Sequence, residues 1–212
     1  MGGRLAIRGL VFDFGGVIVN MRWDVANEIE KEYGFERSTL ARALYDNELW
    51  RGVEVGKGDI EAWRLAAHRR LEEIAGKELP PLHQRWRESW GPIKENMELI
   101  RALRPPYKVS ILSNADSSLV GRLKDGMNIH HWFDDVISSA DVGLAKPDPA
   151  IYRLAADRLA LSIEECLFID DTERNVVAAR ETGMAAIHFR VYEGDNLAEQ
   201  FAEHGVVAPA PA

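Results

Sequence analysis

The chain has 212 residues, of which 46% are hydrophobic and 28% are charged, and this composition excludes fibrous, low-complexity and largely disordered proteins. Its formal net charge of −8 disfavours nucleic acid and anionic membranes as partners. No apolar stretch approaches the roughly 20 residues that span a bilayer. The single cysteine, Cys166, lies in an apolar run, which is typical of a buried thiol in a reducing compartment. We therefore expect a cytoplasmic protein with a packed core.

Five short runs rich in apolar and β-branched residues predict strands, at 5–12, 109–112, 136–139, 167–169 and 185–189. Helical patterns separate most of these runs. Apolar strands that alternate with helices are typical of a parallel sheet covered on both faces. The sequence thus predicts a doubly wound α/β fold. Residues 1–19 and 91–212 form its core, and the end of the chain, 206–212, is expected to be an unpacked tail.

The segment 20–90 has a different character, since it lacks a convincing strand and holds most of the tryptophans. Within it, Trp63, Leu71 and Ile74 recur at helical spacing and share one face. We predict an all-helical domain, inserted after the first strand, whose aromatic residues build a small core. Trp50 stands beside a glycine-rich stretch and is the aromatic residue least suited to that core.

Polar residues stand at the ends of the predicted strands or just before a helix: Asp13, Ser113, Asn114, Lys146, and the adjacent pair Asp170 and Asp171. Taken singly, most of these motifs also fit turns or helix caps. The acidic pair is different, because two neighbouring carboxylates at the end of a buried strand repel each other and are costly to desolvate. A hard divalent cation relieves that repulsion. Mg²⁺ suits carboxylate ligands and leaves positions for phosphate oxygens, so the pair and Asp13 predict a magnesium site.

The order of these motifs resembles the signature of the haloacid dehalogenase-like hydrolase superfamily: Asp13-Phe14-Gly15-Gly16-Val17, Ser113-Asn114, Lys146-Pro147 and Asp170-Asp171. The helical segment after the first motif is similar to the cap of that family, and the resemblance covers nearly the whole chain. It implies a Rossmann-like core with a small helical cap. It also implies a Mg²⁺-dependent phosphomonoester hydrolase that acts on a small phosphorylated metabolite, such as a sugar phosphate.

The resemblance assigns roles to individual residues. Asp13 would be the nucleophile that accepts the phosphoryl group as an aspartyl-phosphate. The Mg²⁺ ion would be held by Asp13, the backbone carbonyl of Gly15 and Asp171. Asp170 would act on the metal mainly through water.

The remaining roles concern the phosphate and the waters of the metal. Ser113, the backbone of Asn114 and Lys146 would hold the phosphate oxygens. Lys146 and Mg²⁺ would also suppress the repulsion between a carboxylate nucleophile and an anionic substrate. Asn175 would orient the waters of the metal.

One position departs from the family pattern. Most phosphatases of the family carry a second aspartate, the general acid and base, where this chain has Gly15. A positioned acid is typically worth about 10²–10⁴ in rate, so its absence implies slow turnover, a substitute from the insert or an acidic leaving group. Candidate substitutes are Glu54, His68 and His83, none of which the sequence places over Asp13.

The same departure points to a subgroup. The Asp-x-Gly pattern, the short helical cap and the Asp-Asp-x-x-x-Asn motif resemble most closely the bacterial subgroup typified by α-glucose-1-phosphate phosphatase. An anomeric hydroxyl is more acidic than an ordinary alcohol and needs less protonation to leave. A sugar 1-phosphate substrate is therefore one hypothesis.

Three other functions stay open at this stage. A metal-independent 2-haloacid dehalogenase would use the same aspartate, but such enzymes usually carry an aromatic residue at the position of Gly15 and lack the acidic pair. A non-catalytic scaffold would bind phosphate or a protein partner through the tryptophan-rich insert. A sugar-phosphate mutase would need the missing general acid.

Overall fold

The computed structural model describes residues 5–208. Its strands, in chain order, are β1 (Gly9–Phe12), β2 (Val19–Asn20), β3 (Gly91–Pro92), β4 (Lys108–Ser113), β5 (Asp135–Ser138), β6 (Cys166–Asp170) and β7 (Ala185–His188). Five of them form a parallel sheet in the order β5-β4-β1-β6-β7. The predicted doubly wound α/β fold is therefore confirmed. The first strand begins later than expected, since the ladders to β4 and β6 start only at Gly9.

The α-helices are α1 (Trp23–Tyr33), α2 (Thr39–Tyr45), α3 (Glu48–Val53), α4 (Ile60–Ala75), α5 (Leu82–Glu88), α6 (Lys94–Ala102), α7 (Leu119–Gly121), α8 (Ser139–Val142), α9 (Pro149–Arg158), α10 (Glu173–Glu181) and α11 (Leu197–Glu203). A π-helical turn covers Arg122–Gly126, and 3-10 turns cover His130–Trp132, Ile163–Glu165 and Val191–Glu193. Helix α9 has a well-capped start, because the carboxylate of Asp148 accepts a hydrogen bond from the backbone of Ala150 and Pro149 is the first helical residue.

Helices cover the sheet on both faces, and the alternation of β1 shows how. Leu10 and Phe12 point into one hydrophobic cluster, which also contains residues of α6 and α11. Val11 points into a second cluster, shared with α9 and α10. Successive side chains of a strand leave on opposite sides, so one short strand is buried by two helical layers.

The insert has a core of its own. Helices α1 to α5 surround a third cluster of buried residues that includes Trp63, Leu71 and Trp86. Trp50 is also buried there, contrary to expectation. Ile74 is exposed, because Ala75, four residues after Leu71, packs against the cluster instead. Whether this segment acts as a cap over the sheet stays a prediction.

The start and the end of the insert lie side by side. Val19 pairs with Pro92, and Asn20 with Gly91, in a two-stranded antiparallel ladder that links β2 to β3. The side chain of the buried Asn96 donates a hydrogen bond to the carbonyl oxygen of Val17 at 2.7 Å, close to the same crossing. These contacts fix the two connections through which the insert joins the sheet.

At the other end of the chain, the predicted tail starts too early. Val206 is buried and Ala208 is partly buried against the cluster that holds Phe201, because these apolar residues directly follow α11 and reach the core. The rest of the predicted tail, residues 209–212, lies outside the described residues. None of the helices within 5–208 is long and apolar enough to cross a membrane.

Candidate active site

The site forms at the carboxyl edge of the three central strands. Asp13 directly follows β1, Ser113 ends β4 and Asp170 ends β6. Phe12 of β1 is in register with Ile111 and Ile169 on the two sides. Parallel strands present their carboxyl ends at the same edge of a sheet, where ligands of open α/β folds bind. Residues far apart in sequence therefore meet here.

The centre of the site is a buried group of charges. The ammonium group of Lys146 lies 2.9 Å from Oδ1 of Asp13 and 2.5 Å from Oδ2 of Asp170. Oxygen atoms of Asp13, Asp170 and Asp171 all lie within 4.8 Å of one another. Two of the three carboxylates thus share one lysine in a region almost without solvent contact, since Asp13 is 8%, Lys146 3% and Asp170 0% exposed.

This crowding changes the protonation of the site. Burial raises the pKa of Asp13 to about 6, and the charge of Asp170 adds to the effect while Lys146 opposes it. Burial, followed by the charges of Asp13 and Asp170, raises the pKa of Asp171 to about 7. Burial alone would lower the pKa of Lys146, but Asp13 and Asp170 raise it above its usual value. The lysine is therefore a permanent cation, whereas two of the carboxylates carry an electrostatic cost.

Asp170 is held by protein donors. Its Oδ1 accepts hydrogen bonds from the backbone of Thr172 at 2.7 Å and from Nδ2 of Asn175 at 3.2 Å. Its Oδ2 accepts from Lys146 and, at 3.1 Å, from the same Asn175 amide. Each oxygen thus accepts two hydrogen bonds, and Asp170 fixes the lysine by direct contact. Its action on a metal through water stays a prediction.

Asp171 takes its position from a glycine. A Cβ atom built on Gly16 would lie 2.1 Å from Oδ2 of Asp171, and Gly16 has a φ of +75°. Only glycine fits both the backbone conformation and the close approach of the carboxylate. The other oxygen of Asp171 accepts a hydrogen bond from the hydroxyl of Thr172 at 3.1 Å.

The donor set fits a hard divalent cation. Asp13 and Asp171 are carboxylates whose pKa values are raised, first by burial and further by neighbouring carboxylates, so a cation between them would stabilise their charged forms. Nearby, Oδ1 of Asn175 is a buried acceptor without a hydrogen-bond partner among the described residues. Waters bound to a cation are donors and would satisfy such an acceptor. Both observations match Mg²⁺, which prefers oxygen ligands and retains water.

Asn114 holds the loop that carries the lysine. Its Oδ1 accepts a hydrogen bond from the backbone N–H of Lys146, and its Nδ2 donates to the carbonyl oxygen of Lys146, each at 2.8 Å. The same Nδ2 donates to Oε2 of Glu54 in the insert at 3.1 Å. The side chain of Asn114 therefore connects the sheet edge to the insert, a role that the sequence did not indicate.

The predicted site residues converge on one cavity of about 230 Å³. Its lining includes Asp13, Gly15, Ser113, Asn114, Lys146, Asp171, Asn175 and Glu54. Asp170 lies fully buried and does not line it. His68 and His83 line a different depression, on the surface of the insert. Of the three candidate substitutes for the missing acid, the structure brings only Glu54 to the site.

Sequence reasoning missed several charged residues that line the cavity. Asp116, Arg122 and Arg87 line it together with aromatic rings of the insert. Burial opposes ionisation of Asp116, but hydrogen bonds from Ser118 and the nearby Arg122 lower its pKa. Burial lowers the pKa of Arg122. Asp116 follows Ser113 and Asn114 closely and could have been found by extending that motif, whereas Arg87 has no comparable signal.

Comparison with known proteins agrees with this geometry. The model of the haloacid dehalogenase-like hydrolases matches residues 7–183. The chain therefore belongs to that family and is a hydrolase.

Two phosphatases are similar to this chain in sequence over most of their length. D-ribitol-5-phosphate phosphatase of Bacteroides thetaiotaomicron is 25% identical over 203 residues, which cover 91% of this chain and 94% of the relative. Fructose-1-phosphate phosphatase YqaB of Escherichia coli is 24% identical over 86% of this chain and 96% of its own length.

Solved structures confirm the fold. A HAD family enzyme from Bacteroides thetaiotaomicron, crystallised with magnesium and inorganic phosphate, superposes with a TM-score of 0.70 at 22% identity and covers 92% of this chain and 100% of its own. The L-2-haloacid dehalogenase of Xanthobacter autotrophicus superposes with a TM-score of 0.62 at 24% identity, over 85% of this chain and 76% of its own. The architecture is thus shared by an enzyme crystallised with magnesium and phosphate and by a haloacid dehalogenase.

Proposed function

We propose that this protein is a Mg²⁺-dependent phosphomonoester hydrolase that works through an aspartyl-phosphate on Asp13. The observation that carries the proposal is the group of buried carboxylates around Lys146, which lies in one cavity with Ser113 and Asn114. The acidic pair also separates this site from that of a metal-independent dehalogenase, which has no need for carboxylates beside its nucleophile. Phosphatase relatives that match most of the chain support the same choice.

In the proposed reaction, a carboxylate oxygen of Asp13 attacks phosphorus while the bond from phosphorus to the ester oxygen breaks. Lys146 lies 2.9 Å from Asp13, so its positive charge offsets the repulsion between nucleophile and phosphate. The hydroxyl of Ser113 and the backbone N–H of Asn114 hold the phosphoryl oxygens. Water then attacks the phosphorus of the aspartyl-phosphate, which releases inorganic phosphate and restores Asp13.

When bound, Mg²⁺ would supply positive charge to the phosphoryl oxygens. Asp13, Asp171 and the backbone carbonyl of Gly15 would hold it, and Asn175 would accept hydrogen bonds from its waters. Asp170 contributes by fixing the ammonium group of Lys146. In this arrangement the metal ligands are Asp13 and Asp171, whose pKa values are raised. Asp170, whose oxygens already accept hydrogen bonds from the protein, is not a ligand.

The substrate we propose is a small phosphorylated sugar or polyol. The cavity is small, and its outer wall combines aromatic rings such as Trp50 and Trp90 with Asp116, Arg87 and Arg122. Rings that pack on carbon faces, beside groups that donate to and accept from hydroxyls, suit a polyhydroxylated molecule. Relatives that act on ribitol 5-phosphate and fructose 1-phosphate support this class. Membership of the α-glucose-1-phosphate phosphatase-like subgroup, a sugar 1-phosphate substrate and action in the cytoplasm stay predictions.

The experiment is a panel of phosphomonoesters assayed with Mg²⁺ and with EDTA, comparing the wild type with Asp13→Asn. We expect Asp13→Asn to lower kcat/KM by at least about 10³-fold and EDTA to abolish hydrolysis. Asp157→Asn, an exposed change in α9, is the control and should behave as the wild type. Hydrolysis that survives in Asp13→Asn, or release of chloride from 2-chloropropionate in EDTA, would contradict the proposal.

A further inference from the structure

The position that carries the general acid in most family members cannot carry one here without rearrangement. A Cβ atom on Gly15 would lie 2.7 Å from Sδ of Met21, near the far end of a flexible side chain, so an acidic residue here would require the methionine side chain to move. The backbone of Met21 is itself held, since Nε1 of Trp86 donates to its carbonyl oxygen at 2.6 Å. Because Gly15 has no side chain, an acid for the leaving group must come from another part of the cavity wall.

Glu54 is the acidic residue that the insert brings to this wall. It follows α3 in a turn rich in glycine, and this turn presses against the sheet domain. A Cβ atom on Gly56 would lie 2.2 Å from the carbonyl oxygen of Ala140 in α8, and Gly56 has a φ of +72°. The backbone N–H of Glu54 also donates to the carbonyl oxygen of Trp50 at 2.8 Å. The carboxylate therefore leaves a fixed turn that touches the sheet domain.

The side chain of Glu54 reaches the phosphate-binding motif. Its Oε2 accepts a hydrogen bond from Nδ2 of Asn114 at 3.1 Å, and it lines the same cavity as Asp13 and Asp171. The Asn114 amide also holds Lys146. Glu54 thus lies one side chain away from the lysine that contacts the nucleophile.

The surroundings of Glu54 favour a carboxyl group that can hold a proton. Partial burial raises its pKa above the usual value. Two cations, Arg174 of α10 and Arg51 of the preceding helix α3, and hydrogen bonds from Asn114 and Trp50 oppose this increase without cancelling it. A general acid must be both protonated and within reach of the leaving atom, and Glu54 meets the first condition better than an exposed glutamate would.

We propose that Glu54 is the general acid and base of this enzyme, supplied by the insert in place of the acid that is absent at Gly15. The inference rests on the proposed phosphatase function. It makes Glu54 a catalytic residue, because its carboxyl group touches the leaving oxygen and then the attacking water.

The chemistry balances in two steps. In the first, Asp13 forms a bond to phosphorus, the bond from phosphorus to the ester oxygen breaks, and the proton of Glu54 moves to that oxygen to give the free alcohol. In the second, water attacks phosphorus, its proton moves to the Glu54 carboxylate, and the bond from Asp13 to phosphorus breaks. Inorganic phosphate leaves, Asp13 regains its charge and Glu54 is again protonated.

The test is Glu54→Gln, measured with two substrates. One is the primary-alcohol phosphate that the wild type hydrolyses fastest, whose leaving group needs a proton. The other is p-nitrophenyl phosphate, whose leaving group departs without one. We expect kcat/KM for the alkyl phosphate to fall by about 10²-fold or more, and that for p-nitrophenyl phosphate to change by less than about fivefold. Rates across a series of alkyl and aryl phosphates should depend more steeply on the pKa of the leaving group than in the wild type.

The same variant separates catalysis from positioning. The amide oxygen of glutamine still accepts the hydrogen bond from Asn114, so a purely positioning residue would tolerate Glu54→Gln. Wild-type rates with both substrates would overturn the proposal, and so would an equal loss with both. Glu61→Gln, an exposed change on α4, is the control, and melting temperatures verify that both variants fold. Asp13→Asn reports on the phosphatase function independently, because its inactivity alongside a fully active Glu54→Gln would leave that function intact and reject the acid.

Discussion

The cavity has two walls of opposite construction. The wall at the sheet edge is made of interdependent buried charges, with Lys146 between Asp13 and Asp170 and with Asn175 donating to Asp170. The wall made by the insert consists mainly of aromatic rings, and its charged groups are sparsely paired. Within residues 5–208, the guanidinium group of Arg87 has no ion pair and lies over the ring of Trp90.

This difference indicates which wall suits the chemical step and which suits the choice of substrate. Buried charges that depend on one another cannot be changed singly without a large cost, so the sheet edge suits a chemical step that stays constant. Aromatic residues and loosely paired side chains can be exchanged at lower cost, so the insert suits the choice of substrate. Glu54 is the exception we propose, since it lies in the insert but contacts Asn114 at the edge.

The largest effect on stability and activity should come from removing Lys146, the cation that Asp13 and Asp170 share. In Lys146→Met, the carboxylates of Asp13 and Asp170 lose their buried counter-charge, which typically costs about 3–5 kcal/mol. We expect a loss of this order in the free energy of unfolding, measured with urea at about pH 8, together with a fall of about 10³-fold or more in kcat/KM. Lys124→Met, at an exposed position, should leave both unchanged. An unfolding free energy equal to that of the wild type would contradict the view that the edge is one interdependent unit.

The next largest effect is the dependence of the protein's stability on pH and on Mg²⁺. Because the folded state raises the pKa of Asp13 to about 6 and that of Asp171 to about 7, from a reference value of 3.8, it binds protons that the unfolded chain releases in this window. The metal-free protein should therefore lose stability as pH rises from about 4 to about 7. Mg²⁺ replaces those protons. Addition of about 10 mM Mg²⁺ should raise the melting temperature by several degrees more at about pH 8 than at about pH 5.

Asp171→Asn provides the matching control. It removes one of the two groups with a raised pKa, so the variant should lose most of the stabilisation by Mg²⁺ at high pH. It should also depend less on pH in the absence of metal. A magnesium-induced shift of equal size at both pH values in the wild type would show that the carboxylates do not compete for protons and metal.

The residues at the sheet edge could be predicted from the sequence because each of them belongs to a short local motif. Each apolar run ends in a polar residue, and parallel pairing brings the ends together without further information. The repulsion within Asp170 and Asp171 then indicates a cation. The resemblance already assigned different roles to the two aspartates. What the sequence left out is the set of contacts that Asp170 makes with Thr172, Asn175 and Lys146, which depend on the path of the loop after β6.

The wall formed by the insert could not be predicted in the same way. Its helices have few strong signals, and which of their residues face the cavity depends on how they pack on one another and on the sheet. Glu54 comes to the site because Gly56 allows the turn to touch Ala140. The side chain of Met21 lies against Gly15, and Trp86 holds the Met21 backbone. Such contacts join residues that share no motif and no regular spacing.

The smallest effect that we predict comes from a substitution in the insert, and it concerns substrate binding alone. Arg87→Gln removes a cavity-lining cation without disturbing an ion pair of the described residues. We expect KM for the preferred substrate to rise about 3–10-fold while kcat stays within about twofold, as is typical when an interaction common to ground state and transition state is lost. Arg85→Gln on the same helix is the matched control, because Arg85 pairs with Glu32 at 2.7 Å and does not line the cavity. A fall in kcat instead of a rise in KM would show that Arg87 acts in the chemical step. It would contradict the view that the sheet edge carries the reaction while the insert selects the substrate.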